Sequence, residues 1–166
     1  MIDKTARSIS FFNKKPLIKL DKNDINEMIE FSKENNNCDI RICLHNKAED
    51  ELHNMLILER KGSYCRPHLH ETKEETLNVI LGNLLVIIFD KKGEIINHYY
   101  LEENELIRIP KRSFHTVIPL SKISIYHESK CGPFRRSETI YPKWAPEIES
   151  NSTDLYVNDI IDSLKD

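Results

Sequence analysis

The feature that most constrains the fold is a series of short apolar segments that runs from Asp39 to Glu128. Turn residues separate the segments, as at Gly82-Asn83, and no helical periodicity lies between them. Regularly spaced short strands are typical of small antiparallel barrels and jelly rolls, whereas α/β folds place a helix between successive strands. The pattern predicts about nine strands in an all-β domain. These strands are 39–43, 54–59, 66–70, 77–81, 84–89, 94–101, 106–109, 115–118 and 123–128.

Helices and irregular segments are predicted on both sides of this region. Before it, residues 8–12 form a candidate edge strand, and a helix capped by Asp21 or Asn23 continues to about Asn35. We expect this helix to pack outside the strands, as a lid or as a dimer element. After Gly132-Pro133, a proline-rich segment precedes a weakly amphipathic helix at 152–164 that docks on the barrel or on a second subunit.

The whole chain is interpreted as one domain with three parts. The N-terminal strand and helix occupy residues 1–37, the barrel occupies 38–134, and a C-terminal extension occupies 135–166. A chain of 166 residues is long enough to bury a core without disulfides, so the four cysteines are expected to be reduced thiols.

Composition excludes several functional classes. Charged residues make up 31% of the chain and interrupt every apolar run, so we expect no membrane insertion. The first five residues lack the basic and apolar layout of a signal peptide, which predicts a cytoplasmic location. Net charge is −3 with scattered lysines and arginines, so nucleic acid is not an expected partner. Neither a P-loop nor a dinucleotide-binding glycine pattern is present, and no organic cofactor is predicted.

A cluster of metal ligands is predicted around His68 and His70. Side chains two apart in a strand point to the same face, so both imidazoles reach one point in space. Glu75 follows closely, and His115 lies downstream. Three imidazoles and one carboxylate suit a single divalent transition metal, which could be Zn, Fe, Mn, Ni or Co. Glu71 and Glu74 are near enough in sequence to compete with Glu75 for this role.

The spacing of these residues resembles the first cupin motif. That motif has a glycine, five residues, His-x-His, three or four residues, a glutamate, six residues and a second glycine. Gly62, His68, His70, Glu75 and Gly82 match every element. The resemblance implies a cupin-type antiparallel β-barrel or jelly roll with the metal bound inside it.

The second cupin motif is matched only in part. Pro110 and His115 stand at the expected positions, so the ligand position is retained. Arg112 stands where glycine is usual, Asn104 replaces the leading glycine, and Pro119 replaces the closing asparagine. These departures predict that the turn before His115 differs in shape from the usual one.

A narrower resemblance is to the WbuC family of cupin-fold metalloproteins, and it covers roughly residues 23–147. It implies a helix before the barrel, a Trp-Ala-Pro segment after it, and a sugar-related role in the synthesis of surface polysaccharides. The residues that carry it are Arg66-Pro67-His68-Leu69-His70, Phe89-Asp90, Ile109-Pro110, Phe114-His115-Thr116-Val117, Glu128, Lys130, Gly132-Pro133-Phe134 and Trp144-Ala145-Pro146-Glu147.

Four further residues are candidates for catalysis. If His68 and His70 point into the barrel, strand alternation predicts that Arg66 and Tyr64 do so as well. Arg66 would hold a substrate carboxylate or phosphate, or else pair with a barrel carboxylate such as Glu128. Tyr64 would donate a hydrogen bond or a proton, or else be a rim aromatic. Glu128 and Lys130 share one strand face and could serve as base and electrostatic partner, or form an ordinary exposed pair.

These residues lead to three functional hypotheses. The first is a metal-dependent isomerase or epimerase acting on a sugar or sugar nucleotide, in a homodimeric protein. The second is an Fe(II)-dependent dioxygenase, which the same ligands would support. The third is a non-catalytic carbohydrate-binding barrel with a structural metal.

Overall fold

The computed structural model describes residues 2–3, 8–148 and 150–165. Met1, at the start of the predicted N-terminal part, and Asp166, at the end of the C-terminal extension, lie outside the described residues, as do residues 4–7 and 149. The elements, in chain order, are β1 (Ile2–Asp3), β2 (Ile9–Phe12), α1 (Lys22–Glu34), β3 (Ile40–Cys43), β4 (Leu52–Arg60), β5 (Leu69–His70), β6 (Glu75–Leu81), β7 (Leu84–Phe89), β8 (Ile95–Leu101), β9 (Leu106–Ile109), β10 (Phe114–Pro119), β11 (Ile123–Cys131), a 3₁₀-helix (Arg136–Glu138), β12 (Thr139–Ile140) and α2 (Thr153–Ser163).

The strands form two facing sheets and a short ladder. The larger sheet has the order β1-β2-β3-β4-β11-β6-β9, and the smaller has the order β10-β7-β8. β12 pairs with β5, and all pairings are antiparallel except that of β2 with β3. The prediction of an all-β, cupin-type β-barrel or jelly roll is confirmed, and among the described residues the two sheets do not pair at their edges.

The main core lies between the two sheets. Alternate residues of each strand face inwards because side chains alternate across a strand. The larger sheet contributes Leu77 and Val79, and the smaller contributes Leu84 and Val86, all of them almost completely buried. The same inward faces carry the charged residues of the candidate site at one end of the core.

Helix α1 covers the outer face of the larger sheet. Asp21 caps it by accepting a hydrogen bond from the backbone N–H of Asn23 at 2.9 Å, while Asp24 accepts from the Asp21 N–H at 2.7 Å. This reciprocal arrangement satisfies two backbone donors that a helix start leaves unpaired. Met28 then packs against the outward-facing residues of the sheet, among them Ile40. The predicted helix and its outside position are therefore observed.

Helix α2 covers the outer face of the smaller sheet. Its buried residue Ile160 packs with Leu85, Ile87 and Phe89, which alternate with the core-facing residues of β7. The layers therefore run α1, larger sheet, smaller sheet, α2. The predicted C-terminal helix packs on the sheet of its own chain. Among the described residues, no helix is long and apolar enough to span a bilayer.

The strand predicted at 66–70 is much shorter in the structure. Only Leu69 and His70 belong to β5, and His68 makes an isolated bridge to His115. Pro67 has no N–H to donate to a ladder, which explains why regular pairing starts after it. Residues 63–67 are therefore irregular, and strand alternation does not extend through them to Tyr64.

Candidate metal centre

Three separate elements bring the predicted ligands together. His70 lies in β5, Glu75 is the first residue of β6, and His115 lies in β10. His68 is tied to His115 by two backbone hydrogen bonds, of 3.0 Å from the His68 N–H and 2.9 Å from the His115 N–H. The pairing holds residues from distant parts of the sequence side by side.

The ligand atoms of His68, His70, Glu75 and His115 all lie within 4.8 Å of one another. The Nε2 atom of His115 is 2.6 Å from Oε1 of Glu75, and Nε2 of His70 is 3.4 Å from Oε2 of the same carboxylate. His115, Glu75 and His70 are buried, and His68 is half-buried. This cluster could hold a metal ion.

Each imidazole is anchored through its Nδ1 atom. Nδ1 of His68 lies 2.9 Å from the Arg66 carbonyl, and Nδ1 of His115 lies 2.9 Å from the Ser113 carbonyl. A carbonyl only accepts, so Nδ1 carries the hydrogen in both rings and Nε2 keeps its lone pair. The Nε2 atoms of His70 and His115 both face the Glu75 carboxylate, and the 2.6 Å approach of His115 needs a proton or a metal ion between the two atoms. Converging Nε2 lone pairs beside a carboxylate fit a transition metal.

The electrostatics of the cluster also suit a cation. Burial, with His115 close by, lowers the pKa of His68 to about 4, and burial likewise lowers the pKa of His70. Burial alone would raise the pKa of Glu75, but His115, His70 and Lys130 hold it well below its usual value. Burial opposes protonation of His115, but the Glu75 carboxylate outweighs it and raises the pKa of His115. The carboxylate is thus ionised, and a metal would compete with a proton for His115.

Glu71 and Glu74, the competitors of Glu75, are directed elsewhere. Glu71 accepts a hydrogen bond from Nε of Arg112 at 2.9 Å, and Glu74 pairs with Arg108. All four of these side chains are well exposed, whereas Glu75 is buried. Of the three glutamates, only Glu75 joins the cluster.

The two residues that replace glycines in the partial second cupin motif both lie in turns. Asn104 and Arg112, which replace glycines, both adopt left-handed backbone conformations, with φ of 69° and 64°. Glycine adopts this region without steric cost, whereas Arg112 occupies it at some strain. The Arg112 N–H donates to the His70 carbonyl at 2.8 Å, so the turn is fixed against β5 and His115 is presented correctly.

Glu128 and Lys130 lie beside the cluster on the inner face of β11. Lys130 Nζ is 2.6 Å from Oε1 of Glu128 and 3.8 Å from Oε2 of Glu75. Burial alone would raise the pKa of Glu128, but Lys130 holds it below its usual value. Burial disfavours the charged form of Lys130, yet Glu128 and Glu75 raise its pKa. The two side chains form a buried, charged pair rather than an exposed one.

Arg66 lies on the His68 side of the cluster, but not in a pair with Glu128. Its guanidinium carbon is 5.2 Å from the centre of the Tyr141 ring, and Nη2 is 3.5 Å from the Pro142 carbonyl. The Tyr141 ring is in turn 6.0 Å from the His68 ring. The Nε atom of Arg66 is buried and has no hydrogen-bond partner among the described residues.

Tyr64 is directed towards the C-terminal segment. Its hydroxyl donates to the Pro146 carbonyl at 2.9 Å, and the edge of its ring meets Tyr156 of α2 at 6.2 Å. Residues 63–67 are not a strand, so alternation gives no reason for Tyr64 to face the cluster. The role of Tyr64 as a donor stays a prediction, and these contacts do not strengthen it.

Two residues at the site were not found from the sequence. Thr139 and Tyr141 lie two apart, Thr139 in β12 and Tyr141 just after it, and they approach His70 and His68 respectively. Side chains two apart in an extended segment point to the same face, which is consistent with both residues approaching the cluster. The sequence carried no signal that residues 139–140 pair with β5, because that pairing is long-range.

The space next to the cluster on the His70 side is small. A cavity lined in part by His53, His70, Lys130 and Thr139 has a volume of about 10 Å³. That is room for about one water molecule. Arg66 and Tyr141 lie near His68, at the other imidazole of the His-x-His pair.

Comparison with known proteins supports the fold. The model of a family described as "Domain of unknown function (DUF6016)" matches residues 20–101, slightly less than half of the chain. No curated protein matches the sequence. The capsular polysaccharide assembling protein CapF from Staphylococcus aureus has a similar structure, with a TM-score of 0.53 and 20% identity. That similarity covers 63% of this chain and 31% of CapF, so the chain spans about a third of the length of CapF.

Two other solved structures are less similar. Oxalate decarboxylase from Bacillus subtilis has a TM-score of 0.48 and 21% identity, over 56% of this chain and 24% of its own. KdgF from Halomonas sp. has a TM-score of 0.46 and 20% identity, over 58% of this chain and 82% of its own. These scores are too low to carry an argument, and the identity to CapF is evidence of fold alone. The chain has a cupin fold with a His/Glu cluster that could hold a metal, while membership of the WbuC family stays a prediction.

Proposed function

We propose that this protein is a metal-dependent isomerase or epimerase that acts on a sugar or sugar nucleotide in surface-polysaccharide synthesis. His68, His70, Glu75 and His115 would hold one divalent transition metal. The observation that carries the proposal is the buried Glu128–Lys130 pair, with Lys130 Nζ 3.8 Å from Oε2 of Glu75. A buried ion pair is costly to desolvate, so its place beside the ligands supports a chemical role.

The four protein ligands would leave a position for a substrate oxygen with a metal that takes more than four ligands. When bound, the metal supplies Lewis-acid polarisation of a carbonyl. The three Nδ1 anchors keep the imidazoles oriented for this role.

Glu128 is proposed as the group that moves the proton. As a carboxylate it would accept a proton from the carbon next to the substrate carbonyl and return it to another carbon or to the other face. Lys130, 2.6 Å away, would hold the carboxylate in place and offset the negative charge that develops on the substrate. Burial of both groups limits exchange of the proton with bulk water.

Arg66 is proposed as the group that binds an anionic part of the substrate. A guanidinium matches the geometry of a carboxylate or phosphate, and the unpaired Nε of Arg66 could donate to either. Tyr141 lies between Arg66 and His68 and would contact the sugar next to the metal. The contacts of Tyr64 support no role for it in this scheme.

The proposed role in surface-polysaccharide synthesis is supported by one sequence resemblance and one structural similarity. The WbuC resemblance implies surface-polysaccharide synthesis, and CapF, which has a similar fold, is a capsular polysaccharide assembling protein. Both are consistent with a sugar substrate, and a homodimer remains part of the proposal.

The test is solvent-deuterium exchange into a panel of sugars and nucleotide sugars, followed by proton NMR. The protein is loaded in turn with Zn, Mn, Fe, Ni or Co. We expect exchange at a carbon next to a carbonyl, and a fall of about 100-fold or more for Glu128→Gln with metal still bound. Glu138→Gln is the matched control, because Glu138 also pairs with a lysine, Lys73, at 2.8 Å. It should behave as wild type.

Two outcomes would replace the proposal. Oxygen consumption that requires Fe(II), with no deuterium exchange, would establish the dioxygenase hypothesis. Saturable sugar binding with neither exchange nor oxygen consumption would establish a non-catalytic carbohydrate-binding protein. Equal exchange by Glu128→Gln and wild type would remove Glu128 from the mechanism.

A further inference from the structure

The C-terminal segment reaches the metal centre through β12. In the ladder of β12 with β5, Thr139 is the direct partner of His70, and Ile140 is the partner of Leu69. Directly opposed residues of antiparallel strands have side chains close together on one face. Thr139 Oγ1 accordingly lies 3.4 Å from Nδ1 of His70. Residues 139–140 are outside both cupin motifs, yet they contact a ligand.

His70 needs a partner that the other two histidines do not need. His68 and His115 each direct Nδ1 to the backbone carbonyl two residues earlier, that of Arg66 and of Ser113. The corresponding carbonyl for His70 is that of His68, and it already accepts the His115 N–H at 2.9 Å. The His68 carbonyl is thus engaged in the bridge to His115, and His70 directs Nδ1 to the Thr139 hydroxyl instead.

We propose that Thr139 is a positioning residue for the metal centre. Nδ1–H of His70 donates to the Thr139 hydroxyl, and this bond keeps Nε2 directed towards Glu75 and the other two imidazoles. The inference rests on the proposed metal site and does not depend on the reaction or substrate. A hydrogen bond from the far nitrogen of a ligating imidazole fixes its tautomer and orientation.

The hydroxyl, and not the shape of the side chain, carries the effect. Without it, the ligating tautomer of His70 would leave a buried N–H without an acceptor, so the ring would favour the other tautomer or rotate. Either change removes Nε2 from the metal. Loss of such a partner lowers metal affinity by about 10–100-fold in comparable sites.

The experiment is a competition titration of Co(II) and Zn(II) against a chelator, together with the absorption spectrum of the Co(II) protein. Thr139→Val keeps the branched shape and removes the hydroxyl, so affinity should fall by about 10–100-fold and the cobalt spectrum should change. Thr139→Ser keeps the hydroxyl and should restore affinity and spectrum. Thr116→Val is the matched control, because the Thr116 hydroxyl is also buried but bonds to the Cys65 carbonyl at 2.5 Å.

Each outcome decides between the two claims. If wild type binds one metal and Thr139→Val binds it equally well, the role of Thr139 is overturned and the metal site stands. A fall in Thr139→Val that Thr139→Ser does not reverse, or that Thr116→Val shares, also overturns it. If wild type binds no metal, the role of Thr139 and the proposed metal site fall together. Melting of the metal-free variants identifies any that do not fold. If Thr139→Val does not fold, Thr139→Ala, which also removes the hydroxyl, takes its place in the comparison with Thr139→Ser.

Discussion

Two groups of buried histidines differ in how their nitrogens are used. His45 and His53 have rings stacked 3.9 Å apart with an angle of 14° between them. Nδ1 of His45 lies 3.2 Å from the Asn54 carbonyl, and Nε2 of His53 lies 3.1 Å from the Ala48 carbonyl. This pair fills space and satisfies backbone acceptors.

The histidines of the metal centre use their nitrogens in another way. His68, His70 and His115 are anchored through Nδ1, and their Nε2 atoms converge on the Glu75 carboxylate. Among the described residues, this is the one set of three or more potential ligand groups that converges in this way. Burial of an imidazole is therefore not sufficient to indicate a metal ligand. A ligand is indicated when one ring nitrogen is anchored by a hydrogen bond and the other converges with further imidazoles on a carboxylate.

The largest effect is expected from Glu75, the carboxylate on which the imidazoles of the metal centre converge. Glu75→Gln removes the charge of the carboxylate while keeping its shape, so metal affinity should fall by more than about 100-fold, beyond the usual effect of an outer partner. A chelator competition measures it. Glu128→Gln, at the neighbouring buried carboxylate, should retain the metal, and equal affinity of Glu75→Gln and wild type would contradict the account.

A smaller effect, on the free energy of unfolding and not on metal binding, is expected from the stacked pair His45 and His53. His45→Ala removes a ring that packs on His53 and Phe12, so the free energy of unfolding should fall by about 1–3 kcal/mol. The number of metal ions bound should not change. Urea unfolding and a metal titration measure the two quantities, and loss of metal in this variant would show that the two groups are not separate.

The smallest effect is expected in the pH dependence of stability. Burial lowers the pKa of both His45 and His53, so between the folded pKa values and about 6.5 the unfolded chain binds protons that the folded protein does not. Stability is fully present above that range and is lost as the pH falls through it. In a His45→Gln/His53→Gln variant, urea unfolding at pH 7 and pH 5 should show a smaller loss than in wild type. An identical loss in both proteins would assign the pH dependence to other groups.

Local patterns were sufficient to predict much of the fold and the centre. The His-x-His spacing, Glu75 and His115 identified four residues that the structure brings together, and Asp21, one of the two predicted caps, begins α1. These signals are short-range, because they depend on strand alternation or on one helical turn.

What the sequence did not predict depends on long-range pairing. Thr139 meets His70 across 69 residues, and no local pattern reports such a contact. Alternation was also extended too far, because the chain before Pro67 is irregular and Tyr64 faces Pro146 and Tyr156. The strand edges of the two sheets do not pair with each other among the described residues, and the strand pattern gave no signal for this separation.

The central claim is that His68, His70, Glu75 and His115 form a metal site. Metal content and uptake on titration should be measured for wild type and for a His68→Ala/His115→Ala variant, both purified without added metal. The account predicts one equivalent of a divalent transition metal in wild type and none in the variant. Absence of metal and of uptake in wild type, or equal uptake by the variant, would contradict it.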